Sequence, residues 1–159
     1  MRAGAPACFI TTNTIQQEPD MTRIEKVLYT GKVHITAGGR DGEARSDDGR
    51  LNLQLSSPGS RGAGTNPEQL LAAGWSACFI GAIGLAAGKR QVKLPSDLSV
   101  DAEVDLGTAG DAYLLQARLN VSIPGIEREL AQALVDTAHQ TCPYSRALGG
   151  NIHVETRLV

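Results

Sequence analysis

The chain has 159 residues, 42% of them apolar and 20% charged, which fits one globular domain able to bury roughly 70% of its unfolded surface. A formal net charge of -2 and a pI near 5.9 argue against an electrostatic grip on nucleic acid or anionic membrane. Three cysteines, Cys8, Cys78 and Cys142, are too few for a disulfide-stapled secreted scaffold, and without a C-x-x-C there is neither a zinc knuckle nor a thioredoxin motif.

Residues 1–20 carry one Arg and a short apolar patch from Ala7 to Ile10, a poor match to a signal peptide. The stretch is polar, rich in Thr and Gln, and reads as a flexible N-terminal extension, with Met21 as an alternative start and Cys8 as a bystander. Residues 21–159 read as a single domain. Well-separated cysteines without an export signal suggest reactive thiols in a reducing cytosol, hence a cytoplasmic location.

From Ile24 to Thr36 the chain is β-like, with Val27, Tyr29, Val33 and Ile35. Ala37 to Gly42 and Ser46 to Gly49 read as turns, Leu51, Leu53 and Leu55 alternate as in a strand, and a Ser/Pro/Gly loop covers Ser56 to Gly64. Asn66 is a good N-cap, Pro67 suits the first helical position, and Glu68 and Lys89-Arg90 suit the two ends of the helix dipole. Between them Leu70 to Ala87 runs 18 residues without a charge. That length raises a membrane span. Its Ala, Gly and Ser content favours instead a central core helix, apolar all round, whose glycines let another backbone approach closely. Leu98–Leu106 and Tyr113–Ile123 read as a hairpin around Gly107–Asp111. Glu127 to about Gln140 is a second helix. Pro143 places Cys142 just past its end. Ile152, Val154, Thr156 and Leu158 alternate in a final strand. Strands, long helix, strands, helix, strand is an α+β order.

Four residues are candidates for chemistry, each with a bland reading beside it. Cys78, in the middle of the core helix, is either an inert buried thiol or a nucleophile. The second role needs a thiolate, and so a cation brought near it. Cys142, at a helix exit, reads as accessible and mobile enough to meet another sulfur. The negative end of the preceding helix disfavours an anion there, which suits a resolving thiol, although an incidental turn cysteine fits equally. Arg40 is a solvated turn residue unless the flanking glycines turn it inward. Glu68 by default only complements the helix dipole.

Three blocks then stand out: Ala37-Gly38-Gly39-Arg40-Asp41-Gly42; Thr65-Asn66-Pro67-Glu68-Gln69-Leu70 running into Ala72-Ala73-Gly74-Trp75-Ser76-Ala77-Cys78-Phe79-Ile80-Gly81-Ala82; and Ala138-His139-Gln140-Thr141-Cys142-Pro143-Tyr144-Ser145, ending at Gly150-Asn151-Ile152. Together, over about Arg23 to Val159, they resemble the OsmC/Ohr family in its branch of organic hydroperoxide resistance proteins. The resemblance implies an α+β fold in which antiparallel sheets wrap two long central helices of an intertwined homodimer. It implies that Cys78 corresponds to the peroxidatic cysteine, Cys142 to the resolving one, and Arg40 and Glu68 to the pair that activates the attacking thiol. It also implies organic hydroperoxides as substrates and dihydrolipoyl groups or lipoylated proteins as reductant, with no metal or haem.

Two expectations follow. Glu68 precedes Cys78 by ten residues, about 15 Å of rise in a continuous helix, so Glu68 is expected to act on the other subunit's site. Trp75, Phe79, Ile80 and Ile83 are candidates for apolar walls that favour alkyl, aryl or lipid hydroperoxides, with plain core packing as the alternative for each. Rival functions are the OsmC branch of the family, a non-catalytic redox sensor or lipid-binding protein, and a membrane anchor through Leu70 to Ala87.

Overall fold

The computed structural model describes residues 23–36 and 38–159. The expected extension 1–20, Met21 and Cys8 lie outside the described residues. The chain divides at Gly31/Lys32, and the compact unit is Lys32–Val159. Over residues 23–31 no strand forms, and Ile24, Val27, Leu28 and Tyr29 are exposed. The strand expected from Ile24 to Thr36 is therefore only β1, Val33–Ile35. Strand composition alone does not make a strand, because the ladder also needs a partner for its backbone groups.

A small antiparallel sheet comes first. β1 pairs with β2 (Glu43–Ser46), and β2 with β3 (Asn52–Gln54), in the register Ile35↔Ala44 and Ala44↔Leu53. Between β1 and β2 lies a single 3-10 turn, Gly39–Asp41. Gly39 sits at φ +55°, in the left-handed region that favours glycine. At Gly42 a Cβ would come within 2.6 Å of Thr36 Oγ1, so a side chain there would force the Thr36 hydroxyl to shift.

Helix α1 is Pro67–Lys89. Asn66 caps it as expected, its side chain accepting from the Gln69 N–H at 2.9 Å. The helix is long and apolar enough to cross a membrane by length and composition. Its Trp75, Phe79 and Ile83 are nevertheless fully buried in the chain's own core. The expectation of a helix covered on all sides is not met within one chain. Ala73, Ala77, Gly81, Gly84, Leu85 and Gly88 are exposed, and at Gly81, Gly84 and Gly88 a Cβ would have no neighbour within 4 Å.

The second sheet is mixed. β4 (Ser99–Ala109) and β5 (Ala112–Ser122) form a long antiparallel hairpin. Its loop is only Gly110-Asp111, tighter than the five-residue turn read from composition, because Gly110 at φ +58° supplies the reversal. The chain then forms α2 (Arg128–Thr141) and α3 (Pro143–Leu148) and returns as β6 (His153–Leu158), parallel to β5. A parallel neighbour requires a crossover of a dozen or more residues, and α2 with α3 provide it. The core lies between this sheet and the helices, built from Trp75, Phe79, Ile83, Leu119, Val121, Leu134 and Val135. The architecture is α+β, with α1 packed on β4, α2 and α3.

Candidate functional site

Helix α1 carries Cys78 in its middle, on the side that faces α3. Cys142 is at once the C-cap of α2 and the N-cap of α3. Its backbone is held twice: its N–H donates to Ala138 O at 2.8 Å, and its carbonyl accepts from the Arg146 N–H at 2.9 Å. This double role places its Sγ 3.3 Å from Cys78 Sγ, and both thiols are free. Cys78 is half-buried, but Cys142 is fully buried. Cys142 is thus not the accessible, mobile residue expected of a helix exit. Pro143, suited to a first helical position, starts a new helix at once, and the cysteine stays inside.

Burial pushes the Cys78 thiol up from its ordinary value. The Tyr144 backbone N–H opposes that rise, and the neighbouring Cys142 sulfur adds to it. Among the described residues no cation is one of the groups that act on it.

A second cluster forms at the start of α1. Asp41 is pinned to the loop before the helix: Ser57 donates its N–H at 2.8 Å and its Oγ–H at 3.0 Å to the carboxylate. Arg40 is thereby turned onto the helix, where its guanidinium donates twice to Glu68, at 3.0 and 2.6 Å. Glu68 is buried, and the Arg40 hydrogen bond holds its carboxyl below the usual carboxylate range. The bidentate fork fixes both position and charge of the guanidinium. Beside it opens a cavity of about 380 Å³ between α1 and β4, walled by Ala72, Ala102, Val104 and Leu106 around Glu68.

The four residues expected to carry chemistry therefore meet in two pairs, Cys78 with Cys142 and Arg40 with Glu68. Within one chain the pairs are not brought together, because ten residues of α1 separate Glu68 from Cys78, about 15 Å of rise. Trp75, Phe79 and Ile83, expected as apolar walls, are fully buried core residues, and Ile80 is half-buried. None of them borders the cavity beside Glu68. Among the described residues no group of three or more His, Cys, Asp or Glu converges as a metal site. Composition and pattern gave no sign of the contact between Trp75 Nε1 and Ser145 Oγ, 2.9 Å and buried. Pro143 directly after a capping-type turn was the one available clue to α3.

The profile of the OsmC-like proteins matches residues 57–157. The organic hydroperoxide resistance protein of Xanthomonas axonopodis pv. citri is 47% identical over 143 residues, covering 87% of this chain and 99% of that protein. The crystal structure of an organic hydroperoxide resistance protein from Legionella pneumophila is similar at TM-score 0.77 and 41% identity, over 84% of this chain and 98% of that one. OhrB of Bacillus subtilis, also an organic hydroperoxide resistance protein, superposes at TM-score 0.76 with 37% identity, over 84% of this chain and all of its own (100%).

Proposed function

Since the chain belongs to the OsmC-like family, we propose that it is a thiol-dependent peroxidase that reduces organic hydroperoxides to alcohols, with Cys78 attacking and Cys142 resolving. The observation that carries this reading is the 3.3 Å separation of two free sulfurs, one half-buried and the other sealed behind it. The names of its relatives supply the substrate class.

The Cys78 thiolate attacks the distal peroxide oxygen. The O–O bond breaks, the alkoxide takes a proton and leaves as the alcohol, and Cys78 becomes a sulfenic acid. Cys142 then attacks the sulfenic sulfur: an S–S bond forms, the S–O bond breaks, and the hydroxyl leaves as water with the proton Cys142 gives up. Closing the disulfide asks the sulfurs to move only a little over 1 Å, since a disulfide is about 2.05 Å long. A dithiol reopens it by exchange, and we assign that part to dihydrolipoyl groups or lipoylated proteins.

Attack needs a thiolate, and burial alone works against one. Arg40, oriented by Glu68, is the prepared cation. Its anchor Glu68 lies ten residues before Cys78 on α1, so the reading requires a homodimer in which each pair serves the partner's Cys78. Two copies of α1 meeting through the exposed Ala73, Ala77, Gly81 and Gly84 face would allow this, since small residues permit close backbone approach. The apolar walls beside Glu68 favour alkyl and aryl hydroperoxides over hydrogen peroxide.

The test is turnover of cumene hydroperoxide with dihydrolipoamide. Cys78→Ser is expected to consume no peroxide. Cys142→Ser is expected to consume about one equivalent without recycling and then to over-oxidise. Reversed phenotypes would exchange the two roles, and oxidation of the wild type without turnover would leave a redox sensor in place of an enzyme.

A further inference from the structure

The two sulfurs are not the only contact between α1 and α3. Trp75 stands three residues before Cys78 on α1, and Ser145 three residues after Cys142 on α3. Positions three apart on a helix share a face, so the Trp75–Ser145 and Cys78–Cys142 contacts form two adjacent rungs between the same helices. The indole N–H donates to Ser145 Oγ at 2.9 Å, with Trp75 fully buried and Ser145 3% exposed. Directly before Trp75 on α1, Gly74 leaves room for the Tyr144 ring, whose hydroxyl would stand 3.0 Å from any Cβ there.

We propose that the Trp75–Ser145 hydrogen bond is a positioning latch that sets the reach of Cys142 for Cys78 and so decides between disulfide closure and over-oxidation. This inference rests on the function proposed above. α3 has only six residues, too few to hold its place by its own hydrogen bonds. Its orientation depends on what its side chains grip, and Ser145 is its buried polar grip. An indole N–H enclosed in apolar surroundings strongly prefers the geometry that keeps its acceptor. Keeping Ser145 on Trp75 holds the first turn of α3, and Cys142 with it, against Cys78.

The latch matters chemically because the sulfenic acid on Cys78 has two fates. Cys142 can displace its hydroxyl as water to form the disulfide. A second hydroperoxide can instead transfer an oxygen to the same sulfur, releasing a second alcohol and leaving a sulfinic acid. The ratio of these fates depends on the effective concentration of Cys142 at Cys78. Such concentrations fall steeply with small displacements, by up to about a hundredfold for a shift near 1 Å. Trp75 and Ser145 touch neither sulfur nor peroxide in this role, so both act as positioning residues.

The experiment measures two quantities on full-length protein. The first is the equilibrium of the Cys78–Cys142 disulfide against glutathione, which gives the effective concentration of the two thiols and needs no peroxide. The second is the ratio of sulfinic acid to disulfide across a cumene hydroperoxide series, read by mass spectrometry. Ser145→Ala is expected to lower the effective concentration by about tenfold or more and to raise the sulfinic fraction correspondingly, with the burst rate of Cys78 oxidation unchanged. Ser145→Thr, which keeps the hydroxyl, is expected to stay near wild type. Trp75→Phe is read in the glutathione equilibrium alone, and Trp75→Phe with Ser145→Ala is expected to do no more than either change singly, because both remove the same bond. A folded Ser145→Ala protein whose effective concentration and sulfinic fraction stay within twofold of wild type overturns the latch. If Ser145→Ala does not fold, an unchanged glutathione equilibrium in Trp75→Phe overturns it equally. A wild type that consumes no hydroperoxide defeats the proposed function, while the glutathione equilibrium still reads the latch.

Discussion

The Arg40 guanidinium holds the Glu68 carboxylate by two hydrogen bonds, 2.6 and 3.0 Å long, at the opposite end of a helical stretch from Cys78. The pair is assembled within one chain but is too distant for the sulfur of that chain. Burial meanwhile drives that sulfur away from the thiolate form. This separation is the ground for the proposal of a site completed by two copies of the chain.

That arrangement predicts complementation. Neither Cys78→Ser nor Arg40→Ala alone should turn over cumene hydroperoxide at the wild-type rate. Mixed after unfolding and refolding together, they form a heterodimer with one intact site if Arg40 serves the partner's Cys78. Random pairing of the two chains then restores about a quarter of the wild-type sites. Activity no greater than the sum of the separate variants would place Arg40 on its own chain's cysteine or remove it from the site.

The same arrangement predicts a shift in the ionisation of Cys78. In an isolated chain the thiol is raised by burial, so the protonated form favours folding. That contribution is present below the ordinary thiol value and lost as the pH rises through the raised one. If the proposed partner guanidinium reaches the sulfur in the assembled protein, it reverses the direction. Iodoacetamide alkylation of Cys78, followed from pH 5 to 10, should therefore have its midpoint below the ordinary thiol range in wild type. In Arg40→Met the midpoint should move to the alkaline side. Identical midpoints in the two proteins would mean that no guanidinium reaches the sulfur.

The exposed small-residue face of α1 can be tested through Gly84, whose missing side chain leaves open space within the chain. In a helix exposed to water, Gly84→Ala should stabilise the protein by about 0.5–1 kcal/mol, because glycine is the costlier residue in a helix. If a second α1 packs there, Gly84→Ala should instead lower the urea midpoint, and Gly84→Leu should yield a monomer by light scattering. A stabilised Gly84→Ala together with an unchanged mass for Gly84→Leu would leave this face out of the assembly.

Acid sensitivity has a separate source on the outer face of β4 and β5. There Arg118 donates to Asp105 at 2.7 and 3.0 Å and to Glu103 at 2.7 Å. With Gln116 adding a further hydrogen bond, the Asp105 carboxyl is lowered to about 2. A carboxyl lowered on folding contributes stability that is complete above its ordinary value of 3.8 and disappears as the pH falls through about 2. The urea midpoint should drop across that window in wild type and drop less in Arg118→Leu. Equal slopes for both proteins would show that the network contributes nothing to acid stability.

Local chemistry made much of this protein legible from its residues alone. Asn66 and Pro67 mark the start of α1, Gly110 allows the hairpin, and the alternation from Val154 to Leu158 marks β6. Each of these signals spans only a few residues, within reach of capping, turn geometry and side-chain periodicity. The two cysteines, Arg40 and Glu68 stand out through three sequence blocks that resemble a known family. Packing decided which of them meet. The Arg40–Glu68, Cys78–Cys142 and Trp75–Ser145 contacts join residues 28, 64 and 70 positions apart, and no local pattern encodes a neighbour at such distance. Tertiary structure also denied a strand to residues 24–31, whose backbone groups find no ladder among the described residues. It turned the expected loose exit at Cys142 into a sealed junction of two helices, because α3 finds a buried grip on α1 through Ser145 and Trp75.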